Sequence, residues 1–111
     1  MTLMNYLDTP GILKYLIGKG LDVNLPNPTD DWTPLMGAAS RGNLETVKLL
    51  VEAGADINYT KYAASSLSVA SQCGYLSIVK YLHENGGAIE ETAVYYASVN
   101  GHLEISKYLV E

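Results

Sequence analysis

Apolar residues fall in short bursts that repeat the same spacing. In Leu44-Glu45-Thr46-Val47-Lys48-Leu49-Leu50 the positions Leu44, Val47 and Leu50 are three apart, so they share one stripe of a helix of about 3.6 residues per turn. The segment Gly42 to Glu52 recurs as Gly74 to Glu84 and as Gly101 to Glu111, and a degraded copy survives at Ile12 to Ile17. Lys14, Lys48, Lys80 and Lys107 form a column beside the stripe and are expected to be solvated. Helices of about ten residues are marginal alone in water, so each stripe has to be covered by neighbouring units. Stacking is therefore built into the pattern.

A second, shorter helix is predicted upstream of each long one. Thr33-Pro34-Leu35 opens the best copy, because a threonine hydroxyl accepts from free first-turn N–H groups and proline suits the first helical position. Ser65-Ser66-Leu67 and Thr92-Ala93-Val94 hold the same place in the next two. The pairs Ala38-Ala39, Val69-Ala70 and Tyr96-Ala97 follow, and a small residue there lets two helices approach closely. Gly42, Gly74 and Gly101 end the short helices, and Gly20, Gly54 and Gly86 end the long ones, since glycine readily supplies a left-handed C-terminal cap.

Asp31-Trp32-Thr33-Pro34-Leu35-Met36-Gly37-Ala38-Ala39-Ser40-Arg41-Gly42-Asn43-Leu44, followed by Gly54-Ala55-Asp56-Ile57-Asn58, strongly resembles the ankyrin repeat. The resemblance runs from about Leu3 to Glu111 and implies one all-α domain. Its architecture is an ankyrin-repeat solenoid of stacked helix–turn–helix units with short β-hairpin finger loops. Repeats are placed at about 1–24, 31–58, 63–90 and 91–111, the last one truncated. The histidine that usually follows Thr-Pro-Leu is replaced by Met36, Ser68 and Tyr95, which puts its hydrogen-bond network in doubt.

Spacing departs from the family pattern. From the glycine ending one long helix to the next capping hydroxyl there are 13 residues (Gly20 to Thr33), then 11 (Gly54 to Ser65), then 6 (Gly86 to Thr92). Fingers are expected near 22–32 and 56–64, with only a tight turn at 87–91. In the first repeat Asp8 stands where a glycine belongs, and its short helix is expected over Thr2 to Leu7. Glu111 falls inside the last long helix, before any glycine stop, so its final carbonyls are left without a cap. Tyr95, Tyr96, Ile105 and Leu109 are expected to lack part of their cover, and further ankyrin repeats C-terminal to Glu111 would supply it.

Composition narrows the function. Hydrophobic residues at 48% make the chain too apolar for disorder, and a net charge of −5 without a basic run gives nothing to neutralise phosphates. No nucleic acid and no membrane are expected as partners, since no 18-residue apolar run exists. One cysteine, Cys73, excludes an internal disulfide and suits a reducing compartment. The expected location is cytoplasmic, or the host cytoplasm or nucleus should the source be a virus or a host-directed effector. Such irregular arrays look similar to those of protists, large viruses and bacterial effectors.

Catalytic chemistry has little to stand on. Cys73 with His83 and His102 lacks the clustering of a metal site, and Asp30 beside Asp31 reads as a solvated loop or cap. No phosphate loop or serine elbow is present, so no catalytic residue, cofactor or metal is assigned. Tyr15, Tyr81 and Tyr108 share a column with Leu49 and are expected to pack. Tyr59 and Tyr62 sit in the second finger and Trp32 at the end of the first, where no stripe demands an aromatic. Trp32 either folds over its own finger or stands out as an anchor.

The resemblance implies an unidentified protein partner held by fingertips and the exposed side of the short helices. Carried over residue by residue, this gives Thr29, Asp30, Trp32, Ser40 and Arg41, then Lys61, Tyr62, Ala64, Gln72 and Cys73, then Glu91, Val99 and Asn100. Thr29, Asp30, Trp32, Ser40, Arg41, Tyr59, Lys61, Tyr62 and Gln72 form the candidate protein-binding surface. The rival readings are spacer repeats of a longer array with no ligand here and, more remotely, an enzyme using Cys73.

Overall fold

A computed structural model describes residues 6–111. Among the described residues there are seven helices: α1 Pro10–Gly18, α2 Pro34–Arg41, α3 Leu44–Glu52, α4 Ser66–Cys73, α5 Leu76–Glu84, α6 Glu91–Val99 and α7 Leu103–Val110. The short helix expected over 2–7 lies largely outside the described residues. Short helices α2, α4 and α6 stack in one row, with α3, α5 and α7 behind them and α1 packed on α3. The stack measures 40 × 24 × 21 Å.

Local chemistry sets the ends. The Thr33 side chain accepts from the Met36 N–H at 3.3 Å and Pro34 takes the first position, so α2 begins there. Ser65 and Ser68 cap one another: the Ser68 N–H donates to Ser65 Oγ at 3.2 Å, and the Ser65 N–H to Ser68 Oγ at 2.8 Å. Ser68, in the place of the family's histidine, thus spends its hydroxyl on its own helix start. Gly42 and Gly74 close α2 and α4 in the left-handed conformation, and the turns after α3 and α5 close through Ala55 N–H to Leu50 C=O and Gly87 N–H to Leu82 C=O.

Each pair then buries one side against the next. Leu35, Val47, Leu50, Leu67, Val79 and Leu82 are fully buried, each worth roughly 1.5–3 kcal/mol relative to exposure for its size class. Gly37, Ala38, Ala39, Ala70 and Ser71 are buried too, which keeps the short helices close. The Ser71 hydroxyl is satisfied by the Leu67 carbonyl at 2.8 Å.

The Gly-Ala-Asp-Ile-Asn ending explains how one pair is fastened to the next. Asp56 Oδ1 accepts from the Asn58 N–H at 3.1 Å and fixes that residue's direction. Asn58 Nδ2 then donates to the Gly86 carbonyl at 3.1 Å, and its Oδ1 accepts from the Ala88 N–H at 2.8 Å. Asn24 makes the same clamp one pair earlier, to the Gly54 carbonyl at 3.2 Å and from the Asp56 N–H at 2.7 Å. An amide suits this place because it donates from one atom and accepts at another, reaching two backbone groups at once.

Three expectations need correction. First, the fingers are not paired strands. Residues 22–32 form turns closed by the Asn27 N–H on the Trp32 carbonyl at 2.8 Å, and the second finger has one antiparallel bridge, Lys61 to Ala64. No such bridge forms at 87–91, as the short spacing requires. Second, Thr92 does not cap α6. Glu90 is the N-cap, without a side-chain bond, because the six-residue link leaves no finger to separate the clamp position from the helix start. The Ala93 and Val94 N–H groups reach the Glu90 carbonyl, and the Thr92 hydroxyl donates to the Ala63 carbonyl at 3.4 Å instead. Third, Ile105 and Leu109 are 2% and 7% exposed: α5 and α6 cover them from within the stack. Tyr95 and Tyr96 do stand partly open.

Candidate protein-binding surface

The second finger is a four-residue turn with both cross-bonds made: Lys61 N–H to Ala64 C=O at 2.9 Å and the reverse at 3.0 Å. Its central residues, Tyr62 and Ala63, have φ of +53° and +61°. Positive φ at both central positions gives the twist of a two-residue hairpin, but for a tyrosine it is an unfavoured backbone. Tyr62 is nevertheless 88% exposed. Its ring lies 5.0 Å from the Lys61 ammonium, so the tip combines a fixed aromatic with a cation.

The two fingers are tied together. Lys61 Nζ pairs with Asp31 Oδ2 at 3.1 Å, and the hydrogen bond to Asp31 followed by its charge raises the Lys61 amine above its usual range. The Tyr59 hydroxyl donates to the Asp31 carbonyl at 3.2 Å. Asp31 is itself left-handed, at φ +59°. The pair is solvent-accessible and adds little stability, but it fixes where the tips sit.

The sequence-named residues divide by position. Thr29 and Asp30 are exposed on the first finger; Asp30 Oδ1 accepts from the Trp32 N–H at 3.0 Å, and the Thr29 N–H donates to Asn27 Oδ1. Trp32 is half-buried, packed against the core. Tyr59 is also half-buried against the core and links the fingers, although no helical stripe asked for it. Ser40 donates to the Gly37 carbonyl within α2, and Arg41 pairs with Asp8 on the surface. Gln72 is exposed, while its carbonyl receives Asn100 Nδ2 at 3.3 Å and lies 3.0 Å from His102 Nε2. The fingers thus bring Asp31, Tyr59, Lys61 and Tyr62 together, whereas Ser40, Arg41 and Gln72 lie along the short helices.

Cys73 is a free, exposed thiol, and partial desolvation pushes it up, leaving less thiolate than an ordinary cysteine has. His83 Nδ1 lies 2.8 Å from the Tyr108 hydroxyl, with the rings edge to face. Among the described residues no three His, Cys, Asp or Glu side chains gather to hold a metal, and no helix is long and apolar enough to cross a membrane.

The long-helix side carries a feature the residue columns concealed. Lys48 Nζ lies 5.7 Å from the Tyr81 ring and Lys80 Nζ 5.7 Å from the Tyr108 ring, each lysine resting on the tyrosine of the next long helix. Burial, then the charge of Glu52, raises the Tyr81 phenol and keeps it neutral beside Lys48. Read separately, the lysine column looked solvated and the tyrosine column packed; only stacking joins them. Tyr15 is met instead by Lys19 at the end of its own helix, 5.4 Å from the ring, and is 64% exposed, contrary to the packing expected of it.

Capped helix pairs, stacked in two rows and clamped loop to loop, define a helical repeat solenoid whose fingers project from one edge. The chain belongs to the ankyrin repeat family: the family model for ankyrin repeats, in three copies, matches residues 3–91. It is 30% identical to alpha-latrocrustotoxin-Lt1a of Latrodectus tredecimguttatus, over 94% of this chain and 8% of that protein. It is 32% identical to the ankyrin repeat and KH domain-containing protein mask-1 of Caenorhabditis elegans, over 68% of this chain and 3% of that protein. A third relative, ankyrin repeat protein nuc-2 of Neurospora crassa, is 34% identical over 91% of this chain and 7% of its own length. The chain therefore spans less than a tenth of each of these relatives.

Proposed function

We propose that the chain is a binding module that grips a protein partner through its second finger, with Tyr62 as the anchor. Ankyrin repeats are in general protein–protein interaction modules. The observation that carries the finer reading is Tyr62 itself: a large aromatic, 88% exposed, on a positive-φ backbone that two cross-turn bonds hold in place. A non-glycine residue there costs of order 1–3 kcal/mol, which the turn carries against its two cross-turn bonds. Aromatics with little freedom to lose are the side chains that dominate protein interfaces. Lys61 beside the ring and Asp31 paired with Lys61 supply charges of both signs at the rim. Thr29, Asp30, Ser40, Arg41 and Gln72 extend the surface along the first finger and the short helices.

The test places a photo-crosslinking phenylalanine analogue at 62 in the native cell and, separately, compares capture by the unaltered chain and by Tyr62→Ala. Crosslinking to one protein from position 62, and capture reduced tenfold or more by Tyr62→Ala at unchanged stability, is the expected result. Equal capture by both forms, without crosslinks at 62, would instead favour a spacer role with no ligand on this segment. A cytoplasmic location suits the exposed free thiol of Cys73.

A further inference from the structure

Charge is unevenly placed along the chain. The links between helix pairs, residues 22–32, 56–64 and 87–91, hold Asp22, Asp30, Asp31, Asp56, Glu90 and Glu91 against a single base, Lys61. They carry the whole formal net charge of −5, because the rest of the chain has six acids and six bases. Lys61 is itself paired with Asp31 at 3.1 Å, so the one cation of this edge is already engaged.

The links meet around the second finger. Tyr59 and Lys61 hold it to Asp31 of the first finger. On its other side the Thr92 hydroxyl donates to the Ala63 carbonyl at 3.4 Å, which seats the same finger on the first turn of α6. Thr92, Tyr96 and Asn100 are four residues apart and share one stripe of that helix. Asn100 Nδ2 donates to the Gln72 carbonyl at 3.3 Å, so the stripe runs from the fingertip to the end of α4. Tyr96, 37% exposed, stands between these two ties, and Val99 beside it is 63% exposed. Tyr62, Tyr96 and Val99 make an apolar strip, with the exposed carboxylate of Glu91 next to Thr92 and that of Asp31 across the finger.

We propose that the segment gripped at this surface is basic and carries arginine, and that it lies along the strip from Tyr62 to Val99. The proposal rests on the fingertip being the grip and names the chemistry of what it grips. The strip supplies contact area, and the charge of the links selects the occupant: an acidic segment meets like charge along the whole edge, whereas a basic one is drawn to it. A second copy offers no such segment, because outside the links its acids and bases balance. Arginine is favoured over lysine because a planar guanidinium stacks on a tyrosine ring and bonds a carboxylate through two parallel N–H groups. The Tyr62 ring is open to it, with Lys61 near the ring but held by Asp31.

The experiment titrates the isotopically labelled chain with short capped peptides that alternate glycine with arginine, with lysine or with glutamate. Amide signals of Tyr62, Ala63, Thr92 and Tyr96 should move with the arginine peptide, which should bind about tenfold tighter than the glutamate peptide and more tightly than the lysine peptide. Its affinity should fall as salt is raised. Asp30→Asn combined with Glu91→Gln should weaken it about tenfold, the asparagine still able to accept from the Trp32 N–H. Glu45→Gln combined with Glu104→Gln removes the same charge from the first turns of α3 and α7 and should leave binding unchanged. Arginine and glutamate peptides that bind alike or not at all, signals that move only elsewhere, or equal losses in the two double variants would each overturn the proposal. A protein crosslinked from position 62 through a neutral or acidic segment also overturns it, while leaving Tyr62 as the grip. Absence of both crosslinks and peptide binding removes the two readings together.

Discussion

Replacing Asn58 by alanine removes the whole clamp between the α3–α4 loop and the α5–α6 loop. Two bonds are lost, to the Gly86 carbonyl at 3.1 Å and from the Ala88 N–H at 2.8 Å, while the backbone bond to Asp56 remains. The orphaned groups lie at the surface and recover water, so each bond counts only its net worth of about 1 kcal/mol, giving a loss of about 1–2 kcal/mol. In a domain of this size each kcal/mol lowers the melting temperature by about 4–8 °C. Urea denaturation followed by circular dichroism measures the loss, and hydrogen exchange at the Ala88 amide localises it. Asn58→Asp keeps an acceptor for Ala88 and should lose about half as much. Glu90→Ala provides the contrast, because that side chain clamps nothing and its buried Oε1 has no hydrogen bond, so its removal should not lower the midpoint. If Asn58→Ala and Glu90→Ala prove equally harmless, the clamp does not hold the stack and the reasoning is wrong.

Gly42→Ala should be worse than Gly101→Ala: both suffer the left-handed penalty of about 1–2 kcal/mol, but only the first drives a Cβ into a ring, that of Tyr75. Paired thermal melts decide it. Leu50→Ala should cost about 2–5 kcal/mol, more than losing a clamp, because a fully buried side chain leaves a cavity that the surrounding helices cannot close. Cys73 should be alkylated by iodoacetamide at pH 7.5 more slowly in the folded chain than in urea, since burial raises its thiol. The sign of the linked effect follows: the folded state prefers the protonated thiol, so its contribution is present below the ordinary thiol range and is lost as pH rises through the raised value. A folded-state rate equal to the unfolded one would remove both expectations.

Helix positions were legible because caps and glycines are local: Thr33, Ser65, Gly42 and Gly74 act within a turn of where they stand. Thr92 misled for the same reason. It stands where Thr33 and Ser65 stand and carries the same hydroxyl, yet the start of α6 was decided by how little chain separates it from Gly86. Asn24 and Asn58 were visible as part of a motif, but their action lies 28–32 residues away and needs the next loop in place. The lysine–tyrosine contacts were hidden likewise, because each joins members of different columns. On the binding surface, Tyr62 was legible as an aromatic in a loop, whereas its positive φ and the Asp31–Lys61–Tyr59 tie were not. Trp32 and Tyr59 looked the same in sequence as Tyr62 and turned out to be half-buried.

Each finger starts just after a clamping asparagine and stops at a helix cap, Asn24 to Thr33 and Asn58 to Ser65. The asparagine clamps lie outside the segment between, which adds only surface ties such as Asp31 to Lys61. Gly20 to Thr33, Gly54 to Ser65 and Gly86 to Thr92 can therefore span 13, 11 and 6 residues on a single spine. The chain separates what must be inherited unchanged from what is free to vary: a loop can be lengthened, shortened or rewritten toward a new partner while the fold beneath it accumulates no strain.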